Sequence, residues 1–457
     1  MIRKAAAVWA GKATGTLSRI TRRGGGTTLP GDVARAIDPQ ILTRLTQDLT
    51  QGSVVITGTN GKTTTSRLVT WLLEGTGRRV VSNRAGANLI FGVTAAALSK
   101  AGADGCLKSD WGVFEIDEAS LPKAVAEIQP KATLVLNLFR DQLDRYGELE
   151  TIAKKIEQAL STLHEAAHVI LNADDPRVAG IGLSLSRTHK PVWFGLDDQR
   201  VASKQLPHAA DARTCPRCGS SLIFEAVYVG HDGVYRCPNN DFARPAPDIT
   251  ATDITLDGFE SLALTIKGTR IEMPLGGLYN VYNVLAAYAT ACSLGLEASY
   301  IAERLKTFKA AFGRQERVIF RGRHLMLVLS KNPAGFNETV RTAVDLAHGT
   351  NFVIGLNDRK ADGTDVSWIW DVDFEQLKDK ARLVIPAGNR AYDLAVRLKY
   401  AGVKAEEPQT DPARALDLLI KNTSEGNTVH LLCTYTAMLD LRAELVRRGW
   451  AQPYWET

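Results

Sequence analysis

The segment Ser53-Val54-Val55-Ile56-Thr57-Gly58-Thr59-Asn60-Gly61-Lys62-Thr63-Thr64-Thr65 decides the fold. Val54, Val55 and Ile56 are apolar without alternation. A strand of that kind is covered on both faces, as in a parallel sheet. A glycine turn ends it, and Thr63 to Leu73 continues at helical spacing. Strand, glycine loop and helix in that order open a parallel α/β domain. The strict Walker pattern asks for glycine at position 56, where Ile56 stands, so the loop is the shorter G-x-x-G-K-T. The physics carries over. Gly58 and Gly61 let the backbone curl, so that N–H groups from Thr59, Asn60 and Thr64 face phosphate oxygens at a helix N-terminus. Lys62 is then expected to reach the terminal phosphates, and the Thr63 hydroxyl to hold Mg²⁺.

Outward from this loop, further buried strands are expected at 79–81, 111–116, 132–136 and 168–171, with helical stretches between most of them. That alternation predicts a mostly parallel sheet with helices on both faces. Between about 200 and 250 Pro, Gly, Cys and polar residues crowd together, which reads as an inserted module. Helical pattern resumes at Tyr279–Leu294, and a break falls near Gly313. Strands at 324–329, 350–354, 382–385 and 428–432 then predict a separate C-terminal α/β domain. The expected division is a basic N-terminal segment at 1–45, a central ATP-binding domain at 46–312 with an insert at about 203–248, and a C-terminal domain at 313–457.

Hydrophobic residues make up 45% and charged residues 23% of the 457, which excludes disorder for most of the chain. No run of 18 apolar residues is present, which argues against a spanning helix. The net charge of +5 is concentrated at the start. Arg3, Lys4, Lys12, Arg19, Arg22 and Arg23 face no acid within residues 1–26, and without them +5 becomes −1. A near-neutral body argues against a nucleic-acid face. The basic segment reads as a helix from Ile2 to about Arg22, with Val8, Trp9, Leu17 and Ile20 as its apolar stripe. It either packs on the body or touches an anionic membrane surface. The expected compartment is a reducing cytoplasm, because the six cysteines make no disulfide framework.

Cys215-Pro216-Arg217-Cys218 has the spacing of a metal knuckle, and Cys237 follows about twenty residues on. Asn240 stands where a fourth cysteine would complete a zinc ribbon. Asp241, His231 or His208 is then the candidate fourth ligand to Zn²⁺, unless the module holds no metal. A structural role is expected, since these thiols lie far in sequence from the phosphate loop. Cys106, Cys292 and Cys433 read as core.

Five segments together resemble the Mur ligase family, which joins amino acids to cell-wall precursors. They are the loop at 57–65; Phe114-Glu115-Ile116-Asp117-Glu118; Asn137-Leu138-Phe139-Arg140-Asp141-Gln142-Leu143-Asp144-Arg145; Gly277 to Asn283 with Ala286-Ala287; and Gly313-Arg314-Gln315-Glu316. The resemblance implies ATP and Mg²⁺ as cofactors, Glu115 as a magnesium ligand, Asn280 near the nucleotide and Arg314 at the hinge into the C-terminal domain. Gln142 stands where these ligases usually carry a magnesium-binding histidine; an amide oxygen ligates the same ion more weakly. Lys331-Asn332-Pro333 replaces a stretch whose Asp and His fall at Val328 and Lys331. A carbamylated lysine of the family corresponds to Lys154 or Lys155, which read equally as solvated helix residues.

The cysteine module, Leu29-Pro30-Gly31, the 362–371 stretch and 433–438 narrow the resemblance to the ligase-like subunits of lipid II isoglutaminyl synthases. It implies ATP-dependent amidation of the α-carboxylate of D-isoglutamate in the lipid II stem peptide, at the membrane surface. Ammonia would come from a GatD-type glutamine amidotransferase subunit. Asp365 corresponds to the aspartate that orients that partner's catalytic histidine; Asp362-Gly363 nearby also fits plain turn chemistry. Alternatives are an amino-acid-adding ligase, such as a folylpolyglutamate synthase, and a nucleic-acid-binding ribbon protein.

Overall fold

Val54 and Ile56 enter one hydrophobic core and Val55 the other, on opposite faces of a nine-stranded sheet. This is the double coverage that an unbroken apolar strand requires. The computed structural model describes the chain except residues 1, 21–27, 84–86, 141–147, 186–188, 204, 209, 309–313, 345–349 and 453–457, and the side chains of 19, 20, 148 and 314. From one edge, the sheet runs Thr269–Met273, Ser261–Ile266, Ile249–Asp257, Val192–Leu196, His168–Asn172, Ala132–Val135, Gly52–Thr57, Trp111–Glu115, Val80–Ser82. The seven strands from Ile249–Asp257 to the far edge are parallel, and the first three form an antiparallel meander. The strand before the phosphate loop lies centrally, between Ala132–Val135 and Trp111–Glu115. Ligands bind in the crevice outside the carboxyl ends of such strands.

Helix Leu278–Ser293 is buried along almost its whole length, which explains its continuous apolar and small composition. It packs on Lys62–Glu74, the helix that begins at the loop. The C-terminal sheet has the order Arg314–Phe320, Arg323–Leu329, Thr428–Cys433, Thr350–Gly355, Ala381–Ala387. Its first pair is antiparallel and the others parallel.

Helix Ile2–Ile20 packs on the body, through only part of the stripe expected from sequence. Ala7 and Val8 are buried, while Trp9 and Leu17 are exposed; the Ile20 side chain lies outside the described residues. Its glycines make the contact: a Cβ on Gly11 would stand 2.8 Å from Leu98. Its cations are tied inward, Lys4 to Asp48 at 2.7 Å and Arg3 Nε to the Ile37 carbonyl at 2.7 Å. The Leu29-Pro30-Gly31 motif also has a steric cause: a Cβ on Gly31 would lie 1.9 Å from the Phe91 carbonyl oxygen. Among the described residues no helix is long and apolar enough to cross a membrane.

Candidate active site and cysteine cluster

The phosphate loop is held open by contacts that its own sequence does not announce. Asn60 N–H donates to Asn137 Oδ1 at 2.8 Å, and Asn137 Nδ2 donates back to the Asn60 carbonyl at 3.2 Å. The Thr59 hydroxyl donates to the Phe139 carbonyl and accepts from Phe139 N–H, both at 3.0 Å. Gly61 has φ +85°, and a Cβ there would meet Asn283 Oδ1 at 2.1 Å. Only glycine fits that close approach.

Lys62, Thr63 and Glu115 come together as expected. Thr63 Oγ1 donates to Glu115 Oε2 at 2.8 Å. Asn83 brackets the Glu115 backbone, its Oδ1 accepting from Glu115 N–H at 2.9 Å and its Nδ2 donating to Glu115 C=O at 2.7 Å. The buried Lys62 ammonium donates to the Gly58 carbonyl and pairs with Glu118 Oε2 at 3.0 Å. Sequence reasoning passed over Glu118 and Asn137. The one available signal was that both stand in the quoted segments, just past the carboxyl ends of strands flanking the loop.

Asn280 and Asn283 lie one helical turn apart. Asn283 Nδ2 donates to Asn280 Oδ1 at 2.9 Å, and Asn283 Oδ1 accepts from the Thr65 hydroxyl at 3.3 Å. The C-terminal domain reaches the loop through Asn332, whose Nδ2 donates to Asn60 Oδ1 at 3.0 Å. At the hinge Gln315 adopts φ +78°, held by bonds from its Nε2 to the Gly276 carbonyl and the Tyr279 hydroxyl, both 2.8 Å. The Arg314 side chain and all of Gln142 lie outside the described residues. One cavity is lined by Asn60, Gly61 and Thr64 from the loop, by Asn280 and Asn283, and by Gln315 and Gly335 from the C-terminal domain. Lys154 and Lys155 are exposed on helix Glu148–Ser161.

Asp365 is not among these groups. It is partly exposed ahead of the short helix Ser367–Asp371, where its Oδ1 accepts from Ser367 N–H at 2.8 Å. Hydrogen bonds from the Ser367 side chain and backbone hold its carboxyl below the usual range.

In the insert, hairpin Ile223–Val229 and Asp232–Arg236 follows the first knuckle. Ligand atoms of Cys215, Cys218, Cys237 and Asp241 all lie within 4.8 Å of one another. Of the three residues left open as fourth ligand, Asp241 is the one that lies with the thiols. His208 pairs with Asp373 at 2.9 Å instead, and His231 sits in a different cluster. Hydrogen bonds led by Ser220 bring the Cys218 thiol down to about 7, and burial pushes Cys237 up to about 12. Contact with Cys237 holds Asp241 low. Cys433 is buried as expected, whereas Cys106 and Cys292 are only half-buried.

A buried polar cluster that sequence reasoning missed lies behind the cavity. Asp174 accepts from the Tyr282 hydroxyl at 2.6 Å and pairs with Arg244 at 2.7 Å. Asp175 caps helix Pro176–Ser184 and accepts from Leu138 N–H at 2.7 Å. Asp232, from the ribbon hairpin, lines the cavity itself. Burial, together with the neighbouring Asp175 and Asp174 charges, pushes its carboxyl well above the usual range.

Residues 56–225 match the Mur ligase middle domain, and residues 329–438 match the MurT ligase C-terminal domain. The chain is 34% identical over 380 residues to the lipid II isoglutaminyl synthase (glutamine-hydrolyzing) subunit MurT of Staphylococcus aureus strain COL, covering 83% of this chain and 84% of that one. The chain belongs to the MurT family. The MurT subunit of Streptococcus pneumoniae strain R6 is likewise 34% identical, over 94% of each chain. Among solved structures, a pseudomurein peptide ligase type C from Methanothermus fervidus has a TM-score of 0.67 at 23% identity, over 87% of this chain and 79% of that one. MurF ligase from Thermotoga maritima in complex with ADP has a TM-score of 0.63 at 15% identity, over 92% and 85%. At these identities the two structures establish the fold, that of a Mur ligase.

Proposed function

We propose that this chain is the ATP-dependent ligase subunit that amidates the α-carboxylate of D-isoglutamate in the lipid II stem peptide. The observation that carries the reading is the Thr63–Glu115 pair beside buried Lys62, on a clamped glycine loop in a MurT-family chain. A carboxylate resists nucleophiles because its charge repels them. Transfer of the terminal phosphoryl group of ATP to a carboxylate oxygen gives an acyl phosphate and ADP. Ammonia then attacks the carbonyl carbon, phosphate departs, and the amide remains. Lys62, largely withdrawn from water, stabilises the charge on the transferring group more than a solvated lysine would. Asn137 and Thr59 fix the loop beforehand, so little reorganisation is left for the moment of transfer. The Asn60–Asn332 contact brings the C-terminal domain over the loop, which excludes water that would compete with ammonia.

Thr63 Oγ1 and Glu115 Oε2 are the oxygen donors that Mg²⁺ prefers, with Gln142 proposed as a third. When bound, the ion neutralises phosphate charge. Asn280 and Arg314 would flank the nucleotide. Ammonia would be delivered by a GatD-type glutaminase subunit bound near Asp365. The test combines the purified chain, such a glutaminase, lipid II, ATP–Mg²⁺ and glutamine. Mass spectrometry of the stem peptide should show conversion of acid to amide with ATP consumed. ATP turnover driven by a free amino acid, with the acid left unamidated, would point instead to an amino-acid-adding ligase.

Cys215, Cys218, Cys237 and Asp241 would hold a structural Zn²⁺. Three soft thiol ligands and one carboxylate suit that ion. Cys218→Ser is expected to lower the zinc content by one equivalent per chain and to lower the melting temperature by several degrees, for a loss of about 1–2 kcal/mol. Unchanged zinc content by elemental analysis would remove the metal from this cluster.

A further inference from the structure

Behind the cavity, three potential ligands converge from two parts of the chain. Asp175 follows the central strand His168–Asn172, whereas His231 lies in the turn of the ribbon hairpin and Asp232 begins its second strand. All three are at least nine-tenths buried. His231 Nε2 stands 3.4 Å from Asp175 Oδ2 and 4.0 Å from Asp232 Oδ1. Neither ring nitrogen of His231, nor Asp232 Oδ1, has a hydrogen-bond partner among the described residues. The other atoms of the set are engaged: Asp232 Oδ2 accepts from Asn172 Nδ2 at 3.2 Å, and Asp175 Oδ1 caps its helix. The His231 ring also lies against Phe139, with centroids 4.4 Å apart.

Of the three facing atoms, His231 Nε2 and Asp232 Oδ1 are thus unsatisfied, and Asp175 Oδ2, which accepts from Leu138 N–H at 2.7 Å, keeps a second lone pair for the same dry place. Two carboxylates so close, with one imidazole, call for a positive charge between them. Arg244 does not supply it, because its guanidinium is committed to Asp174 and the Leu196 carbonyl. Nitrogen and oxygen ligands of a tetrahedral zinc-class ion lie about 2.0–2.1 Å from it, and so about 3.4 Å from each other. The His231–Asp175 separation has that value, and Asp232 needs only a small approach.

We propose that Asp175, His231 and Asp232 bind a divalent transition-metal ion of the zinc class, separate from the cysteine cluster. An imidazole with two carboxylates favours such an ion over Mg²⁺, which prefers oxygen and water alone. Three protein ligands leave coordination open, and one of them, Asp232, also lines the cavity that Asn60 and Gly61 line. The ion would also clip the ribbon hairpin to the central sheet. The insert thereby becomes part of the cavity wall, although it lies far from the loop in sequence.

The test uses the full chain crystallised with ZnCl₂, with diffraction recorded on either side of the zinc absorption edge. An anomalous peak bonded to His231 Nε2, distinct from any peak at the cysteines, is the expected result. In parallel, Asp232→Asn and His231→Gln should each lose one zinc equivalent by elemental analysis, with cysteine-bound zinc retained. Density at the cysteines alone, no density at either place, or unchanged zinc content in Asp232→Asn would overturn the proposal. A proton shared between His231 and the carboxylates would then account for the cluster. Should a variant lose all its zinc through unfolding, the anomalous map of the unaltered chain decides.

Discussion

Lys62→Ala is expected to lower ATP-dependent amidation by at least about 10³-fold in kcat, whether the nitrogen is supplied as glutamine or as free ammonia. That factor corresponds to about 4 kcal/mol of transition-state stabilisation. It is plausible for one ammonium in this setting, because Lys62 is largely excluded from water and the loop around it is clamped by Asn137 and Thr59. Glu115→Ala should fall as far, since it removes the carboxylate that accepts from Thr63. The lysine variant carries a second expectation. Lys62 and Glu118 are both nearly buried and pair at 3.0 Å, so deleting the cation strands a carboxylate. Breaking such a pair costs about 3 kcal/mol. A thermal melt therefore accompanies the kinetics, and Lys62→Ala/Glu118→Gln should recover stability without recovering activity. Glutamine hydrolysis by the partner should continue in both variants. Amidation within about tenfold of the unaltered chain would place the phosphate grip elsewhere.

What the sequence disclosed, and what it withheld, divides along physical lines. Val54-Val55-Ile56 was legible as a strand because parallel strands bury both faces, and because the run is short, β-branched and ended by a glycine turn, unlike a buried helix. Ile249–Asp257 was not, because the outer meander is wetted on one side and carries Thr250, Thr252, Asp253 and Thr255 among its apolar residues. Local chemistry also read well: glycines, lysine and threonine in one loop announce a phosphate. The residues that aim the loop did not, because Asn137 and Glu118 act across 77 and 56 positions and carry no periodic signature. Spacing left one choice open. A ribbon would supply its fourth ligand at position 240, where Asn240 takes a left-handed turn at φ +58°, and of the three candidates in its place it is Asp241 that lies with the thiols. Distance along the chain misled, since a module read as remote from the ATP elements sends Asp232 into the cavity wall.

Asp365→Asn is expected to leave the ligase half intact and to disable the glutaminase half. The competing reading of this residue is structural: Asp365 accepts a hydrogen bond from Ser367 N–H, an Asx turn just ahead of a short helix whose N-cap is Val366. Asparagine makes such a turn about as readily as aspartate, so this substitution keeps that bond and changes stability by less than about 0.5 kcal/mol. What it removes is the charge. The hydrogen bonds from Ser367 keep the carboxyl below its usual range, so the group is ionised throughout the neutral region. A carboxylate orienting a histidine fixes the tautomer and stabilises the imidazolium; its amide does neither, and such replacements cost roughly 10²- to 10⁴-fold in turnover. In the complex with the glutaminase, glutamine-driven amidation should therefore fall by that factor, while amidation driven by free ammonia should remain near that of the unaltered pair. Lys62→Ala should differ by losing both. A turn role alone predicts that Asp365→Asn behaves like the parent and that Asp365→Ala loses stability by about 1 kcal/mol with that hydrogen bond. Undiminished glutamine hydrolysis in the Asp365→Asn complex would thus return this residue to its turn and leave the partner's histidine to be oriented by another group.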